Sequence, residues 1–286
     1  MLHCLVFHEC GMDGPGLLSR RVRPGVHVCG LFRIIDMGII EMEAGIMDWK
    51  VRSARYNELQ WANDDSYLKA ITEMADLRPS DFVLDVGTGT GAVANYISPL
   101  VDAVIGIDSS ADMLQINIPE PNVTKMNWDI RDSIFAEGLF DKVIARMSFH
   151  HILERIGQAV YECYHVLKPG GCFIIAEGVP PSQRCRAFYD DSFRHKEERR
   201  TFFKEDLELL LHRAGFINIA SREYLQHGMS NKSWLRNSGL PEETQKLIND
   251  LHINAPYYVK EDYNMKITEN NDCLVDVKHV IVRGEK

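Results

Sequence analysis

The chain has 286 residues, a hydrophobic fraction of 45% and a formal net charge of -9 at pH 7. This length is enough for one large α/β domain with an accessory element. The acidic balance argues against a broad phosphate-binding face, so nucleic acid is not expected as a partner. No apolar run approaches the roughly 18 to 20 residues of a membrane span, and residues 2–7 are too short for a secretory signal. We therefore expect a cytoplasmic protein without a membrane span.

The cysteine pattern indicates reduced thiols. The chain contains no C-x-x-C pair and no spacing of histidine to cysteine that is typical of zinc. We expect several thiols to be buried as small hydrophobic side chains and no metal to be bound. The seven positions are Cys4, Cys10, Cys29, Cys163, Cys172, Cys185 and Cys273.

Residues 1–46 are rich in glycine and show neither a helical nor a strand period. We expect a loosely ordered N-terminal extension, and we hypothesise that it lies upstream of the natural start, because recognisable domain sequence begins only near Trp49. Residues 47–286 are predicted to form one domain, with an accessory insertion at about 223–262.

Helical and strand patterns alternate along this domain. Helices are predicted over residues 48–77, from near Ala92, and over 152–167, 204–214 (closed by Gly215) and 241–253. Strands are predicted at Phe82–Val86, Ala103–Ile107, Val123–Met126, Lys142–Ala145, Cys172–Glu177 and Phe216–Ala220, and Tyr263–Thr268 is predicted to form a hairpin with Leu274–Val282. The alternation indicates an α/β fold with a parallel sheet covered on both faces.

The most informative segment is Val83–Ala92, an apolar run that continues into a loop with alternating glycines, Gly87, Gly89 and Gly91. Glycine allows the backbone to turn sharply and to approach a ligand that a Cβ would push away. The following helix would direct its free N–H groups at that ligand, so the segment predicts a nucleotide site that includes Thr88.

The glycines alone leave the nucleotide open. Gly87-x-Gly89-x-x-Ala92 also satisfies the dinucleotide fingerprint, with Asp108 near the expected ribose-binding distance. Asp85 favours another ligand, because a carboxylate two residues before the first glycine can bind an ammonium group but would repel a pyrophosphate. A cationic amino-acid nucleotide is therefore the better candidate, and an NAD-dependent oxidoreductase is the alternative.

Two motifs carry a family resemblance: Asp85–Gly91, and Leu167–Gly171 before the fifth strand. Over about residues 57–221 the chain resembles class I S-adenosylmethionine-dependent methyltransferases, and among them the small-molecule branch with ubiquinone and menaquinone C-methyltransferases. The resemblance implies a Rossmann-like three-layer αβα sandwich, with a mostly parallel sheet and an antiparallel last strand at 274–282. It also implies S-adenosylmethionine as cofactor.

Residues after strands two and three are candidates for the nucleoside. The resemblance assigns Asp108 to the ribose hydroxyls in preference to the alternative that it is the N-cap of the next helix. Ser109, next to it, is a further candidate for cofactor binding. Met113 is a candidate for the adenine face, with helix packing as the other interpretation.

After strand three, Asp129 is the candidate for the adenine amino group, and the backbone of Ile130 is a candidate for the ring. A turn carboxylate is the competing interpretation. Asp132 is the other possible match, because residues 127–133 contain no glycine that would determine the register.

After strand four, the segment from Arg146 to His151 occupies the position that faces the methyl donor in this fold. A histidine could take a proton from a phenol, thiol or enol, since its usual pKa is near ~6.5. His151 is favoured over His150 for this role. Both could instead serve in helix capping and packing, because methyl transfer can proceed by positioning an acceptor that is already ionised.

Two further groups extend the candidate site. The resemblance suggests that Tyr56 and Trp61 cover the donor, with core packing as the alternative. The charged run Arg194–Arg200 is interpreted as a solvated helix face, with Arg199 or Arg200 as minority candidates for holding an anionic substrate.

Absent motifs narrow the chemistry. No Asn/Asp-Pro-Pro-Tyr/Phe follows strand four, which disfavours methylation of amide or exocyclic nitrogens, and the Asp-Asn pair of metal-dependent catechol enzymes is missing. We therefore expect methyl transfer to carbon or oxygen of a small organic acceptor. The rivals are the oxidoreductase and a nucleotide-binding protein without methyl transfer activity.

Overall fold

The computed structural model describes residues 64–115 and 120–286. The predictions for residues 1–46, Tyr56 and Trp61, and for most of the first predicted helix, lie outside the described residues.

Eight described strands form one mixed sheet. They are β1 (Phe82–Val86), β2 (Ala103–Asp108), β3 (Val123–Asn127), β4 (Phe140–Arg146), β5 (Leu167–Val179), β6 (Ile217–Ser230), β7 (Lys266–Ile267) and β8 (Cys273–Glu285). The order is β3-β2-β1-β4-β5-β8-β6, with β7 also on β8. The first five strands are parallel, whereas β8 runs antiparallel between β5 and β6. The predicted mostly parallel sheet with an antiparallel last strand is confirmed.

Helices cover both faces of this sheet. They are α1 (Asp65–Ala75), α2 (Ala92–Ile97), α3 (Ala111–Leu114), α4 (Ile156–Val166), α5 (Arg186–Arg194), α6 (Lys204–Ala214), α7 (Asn231–Arg236), α8 (Glu242–Ile253) and α9 (Tyr257–Asp262). Ile71 of α1 and Ala94 of α2 belong to one apolar cluster, whereas Val160 of α4 and Leu207 of α6 belong to another. The layers are therefore helix, sheet and helix, as predicted. No described helix is long and apolar enough to cross a membrane.

The helix ends follow local chemistry. Asp64 caps α1, because its carboxylate accepts hydrogen bonds from the backbone N–H groups of Ser66 and Tyr67. Gly215 ends α6 in the left-handed conformation, with φ of 102°, as the sequence predicts. Pro241 directly precedes α8, so that prediction is correct within one residue.

Three boundaries differ from the predictions. The predicted turn Leu167–Gly171 belongs to β5, where a register irregularity against β4 accommodates it. Helix α4 begins at Ile156, since residues 149–151 form a separate 3-10 turn. The predicted strand Phe216–Ala220 continues as β6 to Ser230, because β8 pairs with it over nearly its whole length. Its mostly exposed side chains hide this strand from hydrophobic patterning.

A third apolar cluster lies beside the start of β8. Tyr189 of α5, Val259 of α9 and Cys273 of β8 pack in it. Helices α7 to α9 all fall between β6 and β7, inside the segment 223–262 that we predicted to be accessory. This cluster forms the wall of a cavity described below.

A substitution at Phe173 of β5 tests the packing of the core on one face of the sheet. Phe173 is fully buried, with ring centroids 5.6 Å from Phe149 and 5.7 Å from Phe216. Phe173→Ala should lower the free energy of unfolding by about 3–5 kcal/mol, because it leaves a cavity between the two rings. Leu209→Ala is the matched control, since Leu209 is 46% exposed on α6 and should change stability by less than about 0.5 kcal/mol. Similar unfolding midpoints in denaturant for the two variants would contradict this assignment of the core.

Candidate active site

A cavity of about 460 Å³ opens at the carboxyl ends of β1, β2 and β4, and we call it the outer cavity. Strand β1 lies between β2 and β4, where the strand order reverses, which is where ligands bind in open α/β sheets. The outer cavity brings together the predicted residues Asp85, Gly87, Thr88, Gly89, Asp108, Ser109, Met113, Asp129, Ile130, Arg146 and His151. Gly91 is not part of its lining; it precedes α2 with φ of 98°. Met147 and Ser148, from the segment predicted to face the donor, also line it, together with Trp128, Arg131 and Glu197, which no motif identified as site residues.

Two glycines make the loop after β1 possible. Gly87 has φ of 72°, and a Cβ there would lie 2.2 Å from Cβ of Ser148, so no other residue fits. Gly89 has φ of 54° and donates its backbone N–H to Oδ2 of Asp108 at 2.9 Å. The loop is therefore tied to the ends of both neighbouring strands.

Asp85 is 1% exposed at the carboxyl end of β1 and accepts a hydrogen bond from the Thr88 hydroxyl at 2.6 Å. Burial raises the pKa of this carboxyl group to about 6, although the bond from Thr88 opposes the shift. A cation that reaches the outer cavity would restore its charged form. This geometry suits the ammonium partner predicted from the sequence.

Asp108 is not the N-cap of α3, because Ser110 occupies that position. Its Oδ1 accepts the backbone N–H of Ser110 at 2.8 Å, and its Oδ2 accepts that of Gly89. The carboxylate also lines the outer cavity. Because each carboxylate oxygen has a second lone pair, these two loop hydrogen bonds leave two acceptor positions for ligand hydroxyls.

The carboxylates after β3 differ in position. Asp129 lines the outer cavity, caps a short 3-10 turn and binds the Arg131 guanidinium at 2.6 Å. The hydrogen bond from Arg131 holds the pKa of Asp129 below its usual range. Asp132 is exposed, pairs with Arg155 at 3.0 Å and does not line the cavity. Of the two candidates, Asp129 alone lies at the cavity, and it also fulfils the turn role.

A second cavity of about 120 Å³ lies beyond the end of β5, and we call it the inner cavity. Met147 and Glu197 line both cavities, so they form the boundary between them. Its aromatic lining comes from Tyr189, Phe193, Trp234 and Tyr263. Sequence reasoning found none of these residues, because they come from α5, α7 and the segment before β7, far from any motif.

The two candidate histidines face different cavities. His151 lines the outer cavity, whereas His150 is 2% exposed and lines the inner one. Nδ1 of His150 lies 2.6 Å from Oε2 of Glu177 at the end of β5. The structure therefore shows a carboxylate and histidine dyad, of which the sequence analysis identified only the histidine.

Glu177 is fully buried and organises the segment after β4. Its Oε1 accepts backbone N–H groups from Ser148, Phe149 and His150, at 3.1, 2.7 and 3.2 Å. Burial raises the pKa of Glu177 to about 7, while the charge of Arg199 opposes that shift. Near neutral pH, Glu177 is therefore present in both its protonated and its ionised form, with Nδ1 of His150 as its hydrogen-bond partner.

The prediction that Arg194–Arg200 is a solvated helix face is wrong. Helix α5 ends at Arg194, and the chain then turns inward. Lys196 and Glu197 are 3% and 4% exposed and form an ion pair, and Arg199 binds Oε1 of Glu197 at 3.2 Å. In sequence, the mixed charges of this segment are typical of a solvated surface. Because the positive and negative side chains pair with each other, however, they can also be buried together.

The two arginines that were minority candidates for binding an anionic substrate have different surroundings. Arg199 lies 4.1 Å from the centre of the Phe193 ring and lines the inner cavity. Arg200 instead donates to the backbone carbonyls of Ile152 and Leu153, so it holds the loop before α4 in place.

Possible ligand atoms of His150, His151 and Glu197 lie within 4.8 Å of one another, a spacing that could hold a metal ion. The charges around Glu197 do not favour that use. Lys196 binds its Oε2 and Arg199 its Oε1, so a divalent cation would have to displace two buried cations. We therefore retain the metal-free interpretation.

Comparison with known proteins agrees with this geometry. The family model described as a methyltransferase domain matches residues 84–175, from β1 into β5. Phosphoethanolamine N-methyltransferase 2 of Caenorhabditis elegans is 28% identical over 168 residues, which are 54% of this chain and 37% of that protein. The ubiquinone/menaquinone biosynthesis C-methyltransferase UbiE of Geotalea daltonii is 29% identical over 133 residues, 43% of this chain and 56% of that protein. The chain thus spans about half the length, or less, of these two relatives.

A third relative matches over a longer range. The uncharacterized methyltransferase YcgJ of Bacillus subtilis is 25% identical over 235 residues, 77% of this chain and 90% of that protein. Its crystal structure superimposes with a TM-score of 0.69, covering 78% of this chain and 98% of YcgJ. Residues 84–175 thus match a methyltransferase domain, the chain is similar to S-adenosylmethionine-dependent methyltransferases over a wider range, and the structure of YcgJ shares its fold.

Proposed function

We propose that this protein transfers a methyl group from S-adenosylmethionine to a carbon or oxygen atom of a small organic acceptor. The observation that carries the proposal is the pair of cavities that meet at Met147 and Glu197. The outer one has the glycine loop and acidic side chains that suit a charged nucleoside. The inner one is small and aromatic, as a separate site for an organic acceptor requires.

The outer cavity matches the donor group by group. Asp108 would accept the ribose hydroxyls, and Asp85 would meet the ammonium group. Asp129 and the backbone of Ile130 would bind the adenine edge, while Met113, 4% exposed, would pack on its face. A volume of about 460 Å³ is within the range of small-molecule sites, roughly 300–1,000 Å³.

Positioning is the main contribution of the chain to this reaction. Bound S-adenosylmethionine supplies a methyl group on a cationic sulfur, which leaves as a neutral thioether. Met147 has a left-handed backbone with φ of 53°, and its Sδ accepts the N–H of Gly178 at 3.1 Å. This constrained residue fixes the boundary across which donor and acceptor must align, and alignment alone can supply much of the acceleration.

We assign the proton acceptor to His150 rather than to His151, which the sequence favoured. Nδ1 of His150 lies 2.6 Å from Oε2 of Glu177, and we assign the proton transfer to the other ring nitrogen, Nε2. The proton moves from an O–H or acidic C–H bond of the acceptor to this nitrogen, and the electron pair of that bond then attacks the methyl carbon. Glu177 is a positioning residue, because it acts through the histidine.

The histidines provide a matched pair for testing this assignment. His150→Gln should lower kcat roughly 10²- to 10⁴-fold without changing donor affinity, because proton removal is lost while the outer cavity stays intact. His151→Gln should keep most of the activity. Steady-state kinetics and donor calorimetry on both variants measure the difference, and a larger loss of kcat in His151→Gln would contradict the assignment.

Glu177→Gln should alter the pH dependence of kcat. In the wild type, kcat should rise with pH through the neutral range, because the dyad must lose a proton before it can accept one from the substrate. The variant should show a lower kcat and a displaced limb. An unchanged pH profile in a folded Glu177→Gln protein would remove the dyad from catalysis.

Asp85 predicts a pH dependence of donor binding. The pKa of this carboxyl is about 6, and its ionised form would pair with the donor's ammonium group. Affinity should therefore be full above pH 6 and weaken by about tenfold per pH unit below it. Calorimetry between about pH 5 and pH 7 measures this slope, and Asp85→Asn should bind weakly at every pH in this range. An identical slope in Asp85→Asn would place the titrating group elsewhere.

Turnover of donor with a labelled methyl group, tested with phenols, quinols and carboxylates, examines the function directly. Methylated product at carbon or oxygen supports the proposal. NAD binding without S-adenosylmethionine binding would favour the oxidoreductase rival instead. Tight donor binding without turnover across the panel would favour the nucleotide-binding rival.

A further inference from the structure

His279 of β8 is a buried residue of the inner cavity that no motif identified. It is 2% exposed, and its ring centroid lies 4.5 Å from that of Tyr67. Its Nε2 lies 2.9 Å from Oε1 of Gln226 on β6. Gln226 in turn donates from its amide nitrogen to Oδ2 of Asp64 at 2.6 Å. A chain of hydrogen bonds thus leads from the cap of α1 to the cavity.

These hydrogen bonds determine which ring nitrogen of His279 carries the proton. Asp64 is an ionised carboxylate that can only accept, because the hydrogen bonds from Gln226 and Tyr67 outweigh burial and keep its pKa low. The amide nitrogen of Gln226 must therefore face Asp64, and its oxygen must face His279. Nε2 of His279 consequently donates the hydrogen bond.

The other nitrogen of His279 is then an acceptor. Burial and the nearby charge of Arg146 lower the pKa of His279 to about 3, so the ring is neutral and Nδ1 carries no proton. Within residues 64–115 and 120–286, Nδ1 is buried and has no hydrogen-bond partner. A buried acceptor without a donor is destabilising, so this position calls for a ligand or a water molecule.

Nδ1 of His279 lies 3.8 Å from the place that a Cβ on Gly178 would occupy, and both residues line the inner cavity. The same place lies 3.4 Å from Cε of Met147, so His279 and the boundary residue Met147 are neighbours beside Gly178.

We propose that Nδ1 of His279 accepts a hydrogen bond from a hydroxyl group of the methyl acceptor, and that the acceptor is a small neutral hydroxylated ring compound. This inference rests on the proposed function for the identity of the bound molecule as methyl acceptor. His279 is a specificity-determining residue that binds the substrate, whereas His150 takes the proton.

Charge and volume support a neutral ring. Lys196 and Arg199 in the wall both bind the buried Glu197, so an anionic ligand would have to compete with Glu197 for these cations. The lone pair on Nδ1 would also repel an anionic oxygen. A volume of about 120 Å³ is below the ~150 Å³ of an engineered apolar cavity that binds benzene, so the inner cavity limits the acceptor to a single ring at most.

The first test uses phenol as probe and toluene as its isostere without a donor, both added to the protein without methyl donor. Nitrogen-15 NMR of the histidine side chains should show Nδ1 of His279 unprotonated, and phenol should shift this resonance more than toluene does. A protonated Nδ1, or failure of phenol to bind at millimolar concentration, would overturn the proposal.

The second test measures selectivity in His279→Phe, which keeps a ring but has no acceptor. The ratio of phenol affinity to toluene affinity should fall about tenfold or more relative to wild type, as loss of one buried hydrogen bond predicts. If His279→Phe does not fold, Gln226→Leu is the second variant. It removes the hydrogen bond that fixes the proton on Nε2 but keeps the ring of His279, and it should also lower the ratio. An unchanged ratio in a folded variant would contradict the inference.

These outcomes are separable from those for the proposed function. Selectivity for phenol without any binding of S-adenosylmethionine would support the His279 site and refute the methyltransferase assignment. Donor binding and turnover with an unchanged selectivity ratio would support the methyltransferase assignment and refute the His279 site.

Discussion

The site depends on one buried carboxylate, Glu177. It accepts three consecutive backbone N–H groups from residues 148–150 and also binds the ring of His150. These bonds hold the chain at the end of β4 against the end of β5. They thereby stabilise the unfavourable left-handed backbone conformation of Met147. The position of the boundary between the cavities and the orientation of the dyad follow from this single constraint. Its cost is the desolvation of a carboxyl group, which is reflected in its raised pKa.

The outer cavity could be predicted from sequence because its determinants are local. The glycine loop and the acid at the end of β2 both follow directly from strand ends that hydrophobic runs identify. Parallel strands then bring those ends to one edge of the sheet. The same logic located β1 to β5 to within a few residues at most boundaries, and it placed Gly215 at the end of α6.

The inner cavity could not be predicted, because its residues meet only through long-range pairing. Gln226 reaches His279 because β6 pairs with β8 far beyond the short strand that its apolar residues indicate. Lys196 and Glu197 resemble surface residues in sequence, and only the inward turn after α5 shows that they are buried as a pair. Hydrophobic periodicity detects apolar burial and gives no signal for buried ion pairs or hydrogen-bond chains.

The central claim is that donor and acceptor meet at the boundary formed by Met147 and Glu197. A crystal structure with S-adenosylhomocysteine, the demethylated donor, tests it most directly. The account predicts that the thioether sulfur lies in contact with Met147 or Glu197 and faces the inner cavity, with the ribose hydroxyls on Asp108. A sulfur that points to solvent, or a nucleoside bound away from the loop after β1, would contradict the account.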